Sequence, residues 1–514
     1  MTSQKPAIVT TKSGKVEGVL QDNLYLFKGI PYAVPPVGEL RWLPPQPVKK
    51  WEGVRPAREF GPIAPQNLMV GGPIQHIAQP QSEDCLFLNV WTPGLDGARR
   101  PVMVWIHGGA FTIGSGSEES YRDGGLAKRG NIVLVTINYR LGMLGFLRMK
   151  DVTGGKIPAT GNEGLMDQVA ALKWVRENIA AFGGDPANVT VFGESAGGMS
   201  IACLMAMPSA KGLFHKGILE SGAGGTVITM NEANTMARGF LKAIGVKGED
   251  AAALWAVKPE QLLDVEMNLR RQAAKSGEAM RITVTVPVVE GDVIPDVPNQ
   301  VALKGSARDI SVIIGTNLEE WKLFGLMQPG MDKLDKAGMS KILESHLPAA
   351  QVPGLVATYE EIRKKRGDTF APFELLSAIF SDIMFRIPAL ELVEAQRDNG
   401  QRAYNYLFTW KSPVMGGILG ACHALEIGFV FGKYDDLFCG TGPDADKLCD
   451  CIQDAWLAFV RTGDPSCKCT GKWPVYGKNR ATMILGKSCQ VVESPYDEDR
   501  QAWQKIKPKY YPMP

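Results

Sequence analysis

The sequence lacks the features that mark several classes of protein. It has no run of about 18 apolar residues and no basic start followed by an apolar stretch, so we expect neither a membrane span nor a signal peptide. Lysine and arginine number 56 against 54 acidic residues, and a net charge of +2 gives no overall field for nucleic acid or an anionic membrane. We therefore expect a soluble, cytoplasmic monomer or homodimer that acts on a small molecule.

Histidine is scarce, so each candidate for imidazole chemistry can be considered separately. The 514 residues contain five, which are His76, His107, His215, His346 and His423. Glycine and proline together stay below the share typical of low-complexity chains, and no repeat or linker-like tract interrupts the sequence.

The nine cysteines fall into two groups. Cys85, Cys203 and Cys422 are isolated in apolar surroundings, as is typical of buried free thiols. Six more lie between residues 439 and 489, which are Cys439, Cys449, Cys451, Cys467, Cys469 and Cys489. Their Cys-x-Cys spacings without a nearby histidine do not match a standard zinc finger. We expect free thiols there, with disulfides as the second interpretation and metal ligation as the third.

Short apolar runs predict the strands. The predicted strands are Ala7–Thr11, Lys15–Leu20, Leu24–Phe27, Cys85–Trp91, Val102–Ile106, Ile132–Ile137, Val189–Phe192, Gly217–Leu219, Ile310–Ile314 and Ala403–Phe408. Continuous runs such as VMVWI at 102–106 are typical of strands buried on both faces of a mostly parallel sheet.

Helical periodicity fills the gaps between these strands. Apolar residues from Leu165 to Phe182 recur every three or four positions, and residues 195–207 form a second helical segment. Strand–helix alternation predicts an α/β fold with a doubly wound sheet. Residues 231–275 and 331–400 are helix-patterned with few strand signals. We expect one domain, 1–514, with helical cap insertions at approximately 225–305 and 331–400.

The segment Gly193-Glu194-Ser195-Ala196-Gly197 is the one G-x-S-x-G in the chain, between a predicted strand and a predicted helix. That context is typical of a nucleophile elbow, in which a tight turn lifts the serine off the strand end. The glycines at 193 and 197 are needed because side chains there would meet the neighbouring strand or helix. A serine nucleophile also requires N–H donors for the oxyanion. Ala196 offers one donor, and the loop of Gly108 and Gly109 follows another strand. We interpret His107 as a structural residue of that loop.

A serine hydroxyl needs an imidazole base that is itself oriented by a carboxylate. In this kind of site the chain order is serine, acid, histidine, which excludes His76 and His107. His215 follows Ser195 too closely to leave room for an acid, and His346 lies in a helical pattern typical of a partly exposed residue. His423 remains. The acid should follow strand Ile310–Ile314, where the pattern leaves Glu319 and Glu320 open and Asn317 could cap a following turn.

Motifs spread over nearly the whole chain resemble those of the type-B carboxylesterases, the carboxylesterase, cholinesterase and para-nitrobenzyl esterase group of the α/β-hydrolase fold. They are FKGIPYAVPPVGELRW (27–42), SEDCLFLNVWTP (82–93), HGGAF (107–111), NYRLGMLGF (138–146), GNEGLMDQ (161–168), FGGDPANVTVFGESAGG (182–198) and GACHALEIGFVFG (420–432).

This resemblance implies roles for particular residues. Ser195 would be the nucleophile, Glu320 the acid and His423 the base, with Gly108, Gly109 and Ala196 as the oxyanion hole. It also implies structural ion pairs, Arg41 with Glu83 and Arg140 with Asp167. The implied activity is hydrolysis of carboxylic esters through an acyl-enzyme, without metal or cofactor.

The chain also departs from the family pattern. Trp321 and Ala424 stand where glycine is common, and the disulfide partners of the extracellular members are absent, which favours the bacterial, intracellular branch. The alternatives are a specialised hydrolase of an amide, lactone, carbamate or bulky ester of phthalate or mycotoxin type. A non-enzymatic cholinesterase-like binding protein is disfavoured because all three triad residues are present.

Overall fold

The computed structural model describes residues 5–67, 79–273, 285–504 and 506. His76 lies outside the described residues. The strands are β1 (Lys5–Thr10), β2 (Lys15–Gln21), β3 (Leu24–Pro31), β4 (Val54–Pro56), β5 (Phe87–Thr92), β6 (Arg100–Ile106), β7 (Val133–Ile137), β8 (Gly184–Glu194), β9 (Lys216–Glu220), β10 (Ile228–Thr229), β11 (Val288–Val289), β12 (Ser311–Asn317), β13 (Ala403–Phe408), β14 (Ala481–Leu485) and β15 (Gln490–Glu493).

The helices lie between and after these strands. They are α1 (Gly125–Gly130), α2 (Gly142–Phe146), α3 (Glu163–Asn178), α4 (Ala196–Ala206), α5 (Met230–Ile244), α6 (Ala251–Trp255), α7 (Pro259–Ala273), α8 (Pro298–Leu303), α9 (Trp321–Leu326), α10 (Lys336–His346), α11 (Val352–Arg366), α12 (Pro372–Ser381), α13 (Ile387–Asp398), α14 (Ile427–Phe431), α15 (Pro443–Thr462) and α16 (Asp497–Ala502). Within the described ranges, no helix combines the length and the apolar character that a bilayer crossing requires.

One large mixed sheet organises the molecule. Its strand order is β1-β2-β3-β5-β7-β6-β8-β9-β12-β13-β14-β15, with β4 paired to β2. The strands from β7 through β14 in this order run parallel, whereas β1, β2, β3 and β5 at one end and β15 at the other are antiparallel additions. The doubly wound α/β prediction is confirmed, and the carboxyl ends of the parallel strands share one edge.

Side-chain alternation along the central strands builds two separate cores. Val102, Val104 and Ile106 of β6 pack in the cluster that includes residues of α3 and α4. Met103 and Trp105 point the other way and pack with residues of α14 and α15. Because neighbouring side chains of a strand alternate between faces, an unbroken apolar run requires helices on both sides of the sheet.

Several predicted boundaries and environments were wrong. Strand β8 begins five residues before Val189, because Gly184 already pairs with Arg100. The helix predicted through Phe182 is α-helical only to Asn178, and its last turn tightens into a 3-10 helix. His215 lies between α4 and β9, not in a helix.

The cysteine prediction also needs correction. Free thiols were expected between residues 439 and 489, and Cys439, Cys449, Cys467 and Cys489 are free, but Cys451 and Cys469 form a disulfide. Helix α15 and the loop after it bring their Cα atoms to 5.3 Å, which is within bonding range for two cysteines. Cys85, Cys203 and Cys422 are free and buried, as expected.

The two helix-patterned segments are helical. Helices α5 to α7 contribute to a small third apolar cluster that also contains Trp42 and residues of α2. The second segment consists of α10 to α13, and a π-helical turn at Asp382–Arg386 joins α12 to α13.

Two buried arginines anchor the long loops. Arg140 lies against Asp167 of α3, with Nη2 2.7 Å from Oδ1, and neither side chain is appreciably exposed. Its Nη1 also donates to the carbonyl of Leu43. Arg41 pairs with Glu83, and its Nη1 donates to the carbonyl of Val257, which ties the loop after β3 to the end of α6.

Removing one partner of the Arg140–Asp167 pair should destabilise the fold. We expect Asp167→Asn to lower the free energy of unfolding by about 3–5 kcal/mol, because the guanidinium stays buried without its counter-charge. Urea unfolding measures the change. Glu361→Gln, which removes a partner of the exposed Lys365–Glu361 pair, is the matched control and should leave the midpoint unchanged. Equal midpoints for both variants would contradict a structural role for the buried pair.

Candidate active site

The predicted site residues follow the carboxyl ends of nearby parallel strands. Ser195 comes directly after β8, Gly108 and Gly109 follow β6, Glu320 follows β12 and His423 lies on the loop after β13. These strands belong to the run β6-β8-β9-β12-β13, so their ends meet at one edge of the sheet. In open α/β sheets ligands bind at this edge.

Ser195 occupies a strained turn. Its φ of +55° is rare for a residue with a side chain, and it directly precedes the first turn of α4. A Cβ at Gly193 would lie 2.5 Å from the carbonyl oxygen of Ile106, and one at Gly197 would clash with that same oxygen. The two glycines are therefore required because strand β6 passes directly beneath the turn.

The glycine loop after β6 lies against the serine. A Cβ at Gly108 would sit 3.2 Å from Cβ of Ser195 and 2.7 Å from the carbonyl oxygen of Glu194. Gly109 has a φ of +100°, a conformation that side chains rarely adopt. The N–H of Ala196 begins α4, where a helix offers no internal acceptor. The backbone of Gly108 and that of Ala196 therefore lie directly beside Ser195.

His423 is held by Glu320. Its Nδ1 lies 2.7 Å from Glu320 Oε2, while Glu320 Oε1 accepts a hydrogen bond from the backbone N–H of Asn317. Glu319, which the pattern left open, faces away from the imidazole: it accepts a hydrogen bond from the N–H of Ala421 and pairs with Lys322. Glu319 therefore fixes the backbone of the histidine loop.

The expected helix cap at Asn317 is not formed. Helix α9 begins without a side-chain cap, and Asn317 Nδ2 instead donates to the carbonyl of Cys422 and to Glu426. Strand β12 extends through Asn317, so its side chain reaches the histidine loop and not the following turn.

Aromatic rings enclose the imidazole of His423. The centroids of Phe324 and Phe385 lie 4.9 and 4.8 Å from it. Phe324 belongs to α9 and Phe385 to the π-helical turn of the second helical segment. Trp321, at a position where the family has glycine, is fully buried against Phe380, and Ala424 adopts a φ of +64°, which explains why glycine is common there.

Ser195 and His423 do not form a hydrogen bond within the described residues. The Nε2 of His423 lies 3.1 Å from Glu194 Oε1, although the two atoms are not aligned for a hydrogen bond. Glu194 therefore stands between the glycine loop and the imidazole. Catalytic hydrogen bonds are often long or misaligned before substrate binds.

Four buried glutamates surround this site: Glu194, Glu220, Glu320 and Glu426. Glu426 accepts hydrogen bonds from Ser221 Oγ at 3.1 Å and from Asn317 at 2.6 Å. Glu220 Oε1 accepts one from the indole N–H of Trp456, and no partner among the described residues reaches its Oε2. Sequence reasoning missed Glu194, Glu220 and Glu426, although two of them lie within the recognised motifs, beside Ser195 and three residues after His423.

Burial dominates the electrostatics of these carboxyls. Desolvation raises the pKa of Glu194 well above its usual range, that of Glu220 to about 8, and that of Glu426 to about 7. For His423, desolvation lowers the pKa, but the Glu194 charge and the hydrogen bond to Glu320 outweigh it and raise the value to about 9.

The other described histidines have structural positions. His107 stacks on Tyr139 with centroids 4.4 Å apart, and its Nδ1 contacts the carbonyl of Gly108. His215 Nδ1 accepts from the N–H of Val189. His346 was expected at the surface, but it is buried edge-on against Phe380, because it lies on the inward face of α10.

Residues 5–503 match the model of the family described as the carboxylesterase family. The chain belongs to the carboxylesterase family. It is 40% identical to the para-nitrobenzyl esterase of Bacillus subtilis, covering 96% of this chain and 98% of that one. It is 35% identical to the phenmedipham hydrolase of Pseudarthrobacter oxydans, over 93% and 95% of the two chains.

Solved structures agree with this assignment. A para-nitrobenzyl esterase structure superimposes with a TM-score of 0.84 at 39% identity, covering 96% of this chain and 99% of that one. This carboxylesterase therefore has the α/β-hydrolase fold and hydrolyses carboxylic esters.

The buried Glu220 of this carboxylesterase should make its stability depend on pH. In the folded chain its pKa is about 8 against an ordinary 4.5, so the folded state keeps a proton that the unfolded state releases. Stability should therefore fall as pH rises from about 4.5 to about 8. We expect Glu220→Gln to raise the unfolding free energy at pH 8.5 by roughly 1–4 kcal/mol and to change it little at pH 4.5.

Urea unfolding at the two pH values measures this effect. Glu260→Gln, at an exposed position of α7, is the control. Its unfolding free energy should stay close to that of the wild type at both pH values. The assignment to Glu220 fails if the difference in unfolding free energy between Glu220→Gln and the wild type is no larger at pH 8.5 than at pH 4.5.

Proposed function

We propose that Ser195, His423 and Glu320 form the catalytic triad of this esterase. The observation that carries the proposal is the pairing of His423 Nδ1 with Glu320 Oε2 at 2.7 Å, at the sheet edge where the strained Ser195 turn lies against Gly108. Glu320 holds the imidazole in the tautomer with its proton on Nδ1, which leaves Nε2 free to accept the serine proton.

The reaction begins when Ser195 Oγ attacks the ester carbonyl carbon while its proton passes to His423 Nε2. The carbonyl oxygen becomes an oxyanion, which accepts hydrogen bonds from the N–H groups of Gly108, Gly109 and Ala196. Collapse of this intermediate expels the alcohol, which takes the proton from Nε2, and leaves the acyl group on Ser195. Water then repeats the sequence and releases the acid.

Glu194 acts on this cycle through the imidazole. Its carboxylate, 3.1 Å from Nε2, stabilises the imidazolium that forms when Ser195 loses its proton. The same charge disfavours the neutral imidazole that must accept the proton. Glu194 is accordingly a positioning residue that sets the pH range of activity.

The substrate is a neutral carboxylic ester with apolar groups. Phe324 and Phe385 provide an apolar wall beside His423, and the near-zero net charge gives no preference for ionic substrates. We propose that the helical segments at approximately 225–305 and 331–400 form a cap over the site. Phe385 of the second segment contacts the imidazole of His423, and the first segment is described at 225–273 and 285–305. We propose a cytoplasmic enzyme that works as monomer or homodimer without cofactor, because the disulfide partners of the family's extracellular members are absent from the sequence.

A second candidate is hydrolysis of a specialised substrate, such as an amide, lactone, carbamate or bulky ester. The 35% identity to the phenmedipham hydrolase favours testing it. Measuring kcat/KM for a panel of substrates that vary in acyl length, alcohol bulk and leaving group separates the two candidate functions. The ester proposal expects the highest kcat/KM for a simple neutral ester, and the second candidate expects it for one of the specialised substrates.

Ser195→Ala should abolish ester hydrolysis while the protein still folds. We expect kcat for a short p-nitrophenyl ester to fall by at least about 10⁴-fold, because no other group can form the acyl-enzyme. A fluorophosphonate should label Ser195 in the wild type and not label this site in the variant. Ser209→Ala, at an exposed serine, is the matched control. Turnover by Ser195→Ala above the uncatalysed rate would disprove the assignment.

Activity should fall as the imidazole becomes protonated. With the His423 pKa raised to about 9, kcat/KM should decline as pH drops below that value, since only neutral imidazole accepts the serine proton. Glu194→Gln removes the neighbouring charge, so we expect the acidic limb to move to lower pH by roughly 1–3 pH units.

The pH profile of kcat/KM for both proteins measures this shift, with Glu39→Gln at an exposed position as the control. A wild-type profile that is flat from pH 5 to 8 argues against His423 as the base. A Glu194→Gln profile that coincides with the wild type argues against the proposed role of Glu194.

A further inference from the structure

Three cysteines from separate parts of the chain meet beside the second core. Cys451 lies on α15, Cys469 lies in the loop between α15 and β14, and Cys489 lies in the turn between β14 and β15. Cys451 is buried, and the other two are half-buried. None of them has a part in the proposed ester chemistry.

Their sulfur atoms are close enough to share one ligand. The Sγ atoms of Cys451, Cys469 and Cys489 all lie within 4.8 Å of one another. Thiolates that bind one zinc ion at 2.3 Å are roughly 3.8–4.0 Å apart, so small side-chain movements bring the three sulfurs into coordinating positions. Within the described residues this is the one such group of histidine, cysteine and acidic side chains.

The loop that carries Cys469 is already ordered. Cys467 and Gly471 form a β-bridge across it, and the N–H of Cys467 donates to Thr470 Oγ1 at 3.0 Å. Cys451 is fixed on a long helix, and Cys489 is held between two paired strands. Such an arrangement lowers the conformational entropy lost on metal binding, because ordered segments already hold the ligands near one another.

The disulfide must open before all three sulfurs can bind a metal. A dithiol reductant supplies two electrons and two protons: the Cys451–Cys469 bond breaks, both sulfurs become thiols, and the reductant becomes a disulfide. On metal binding the three thiols release their protons, since thiolates are the ligands.

We propose that the reduced protein binds one thiophilic d¹⁰ cation of the Zn²⁺ type through Cys451, Cys469 and Cys489. Thiolate ligands select such ions over Mg²⁺ or Ca²⁺. A fourth position remains open to water, as no further metal-ligating side chain of the described residues joins the group. A disulfide thus cross-links the segments of Cys451 and Cys469 under oxidising conditions, and a metal would join these two and the segment of Cys489 under reducing conditions.

Cobalt substitution tests this site on the full-length protein. The protein is reduced with a dithiol, separated from it without air, and titrated with Co²⁺ and then Zn²⁺. We expect one equivalent of Co²⁺ to produce sulfur-to-metal charge-transfer bands and intense visible bands of a four-coordinate thiolate site. Zn²⁺ should abolish these bands, and the unreduced protein should not develop them.

Variants show whether these cysteines are the ligands. Cys489→Ser should lose the bands and bind Co²⁺ at least about 100-fold more weakly, while its ester hydrolysis stays unchanged and shows that it is folded. Cys439→Ser, a buried free cysteine outside the group, is the matched control and should bind as the wild type does. A reduced wild type that develops no such bands with Co²⁺, or bands that persist in Cys489→Ser, would overturn the proposal.

Discussion

The contact between strand β6 and the turn at Ser195 is the constraint on which the site depends. The carbonyl oxygen of Ile106 lies so close to residues 193 and 197 that neither position admits a side chain. This approach forces the strand–turn–helix connection into the strained φ of Ser195 and starts α4 immediately afterwards. It also brings the loop after β6 against the serine. The proposed nucleophile and the glycine loop of the proposed oxyanion hole are therefore positioned by one packing contact in the centre of the sheet.

A second constraint is electrostatic. The site buries an imidazole together with four carboxyls, and so many negative charges in a space without water would repel one another strongly. The raised pKa values of Glu220 and Glu426 show how the fold avoids this, since protons neutralise part of that charge near neutral pH. Glu320 instead has both oxygens engaged, one by the backbone N–H of Asn317 and the other by the imidazole of His423.

The sequence predicted the sheet and the motif residues well, because both depend on local patterns. Continuous apolar runs located the central strands, and the glycines around Ser195 indicated the close approach that the structure contains. Choosing Glu320 over Glu319 required the family resemblance, since both follow the same strand and only their directions differ. The direction of Glu319 is set by the N–H of Ala421 on the histidine loop and by Lys322 three residues further along the chain.

Other features depend on contacts between distant segments and left no local signal. The burial of His346 is determined by Phe380 of another helix, and the disulfide by how α15 meets the following loop. The hydrogen bonds between Glu220 and Trp456 and between Ser221 and Glu426 join residues more than 200 positions apart. Periodicity along the chain carries no information on such pairs.

The position of Phe385 has a consequence for how this enzyme diversifies. Its ring touches the imidazole, yet it belongs to a helical segment outside the central sheet, at a π-helical turn that a single inserted or deleted residue would re-phase. A change of this segment that alters the proposed substrate cap therefore also alters the support of His423, the proposed base. In the proposed mechanism, substrate selectivity and turnover both depend on this segment. We therefore expect descendants with new substrate ranges to acquire compensating changes around residue 385.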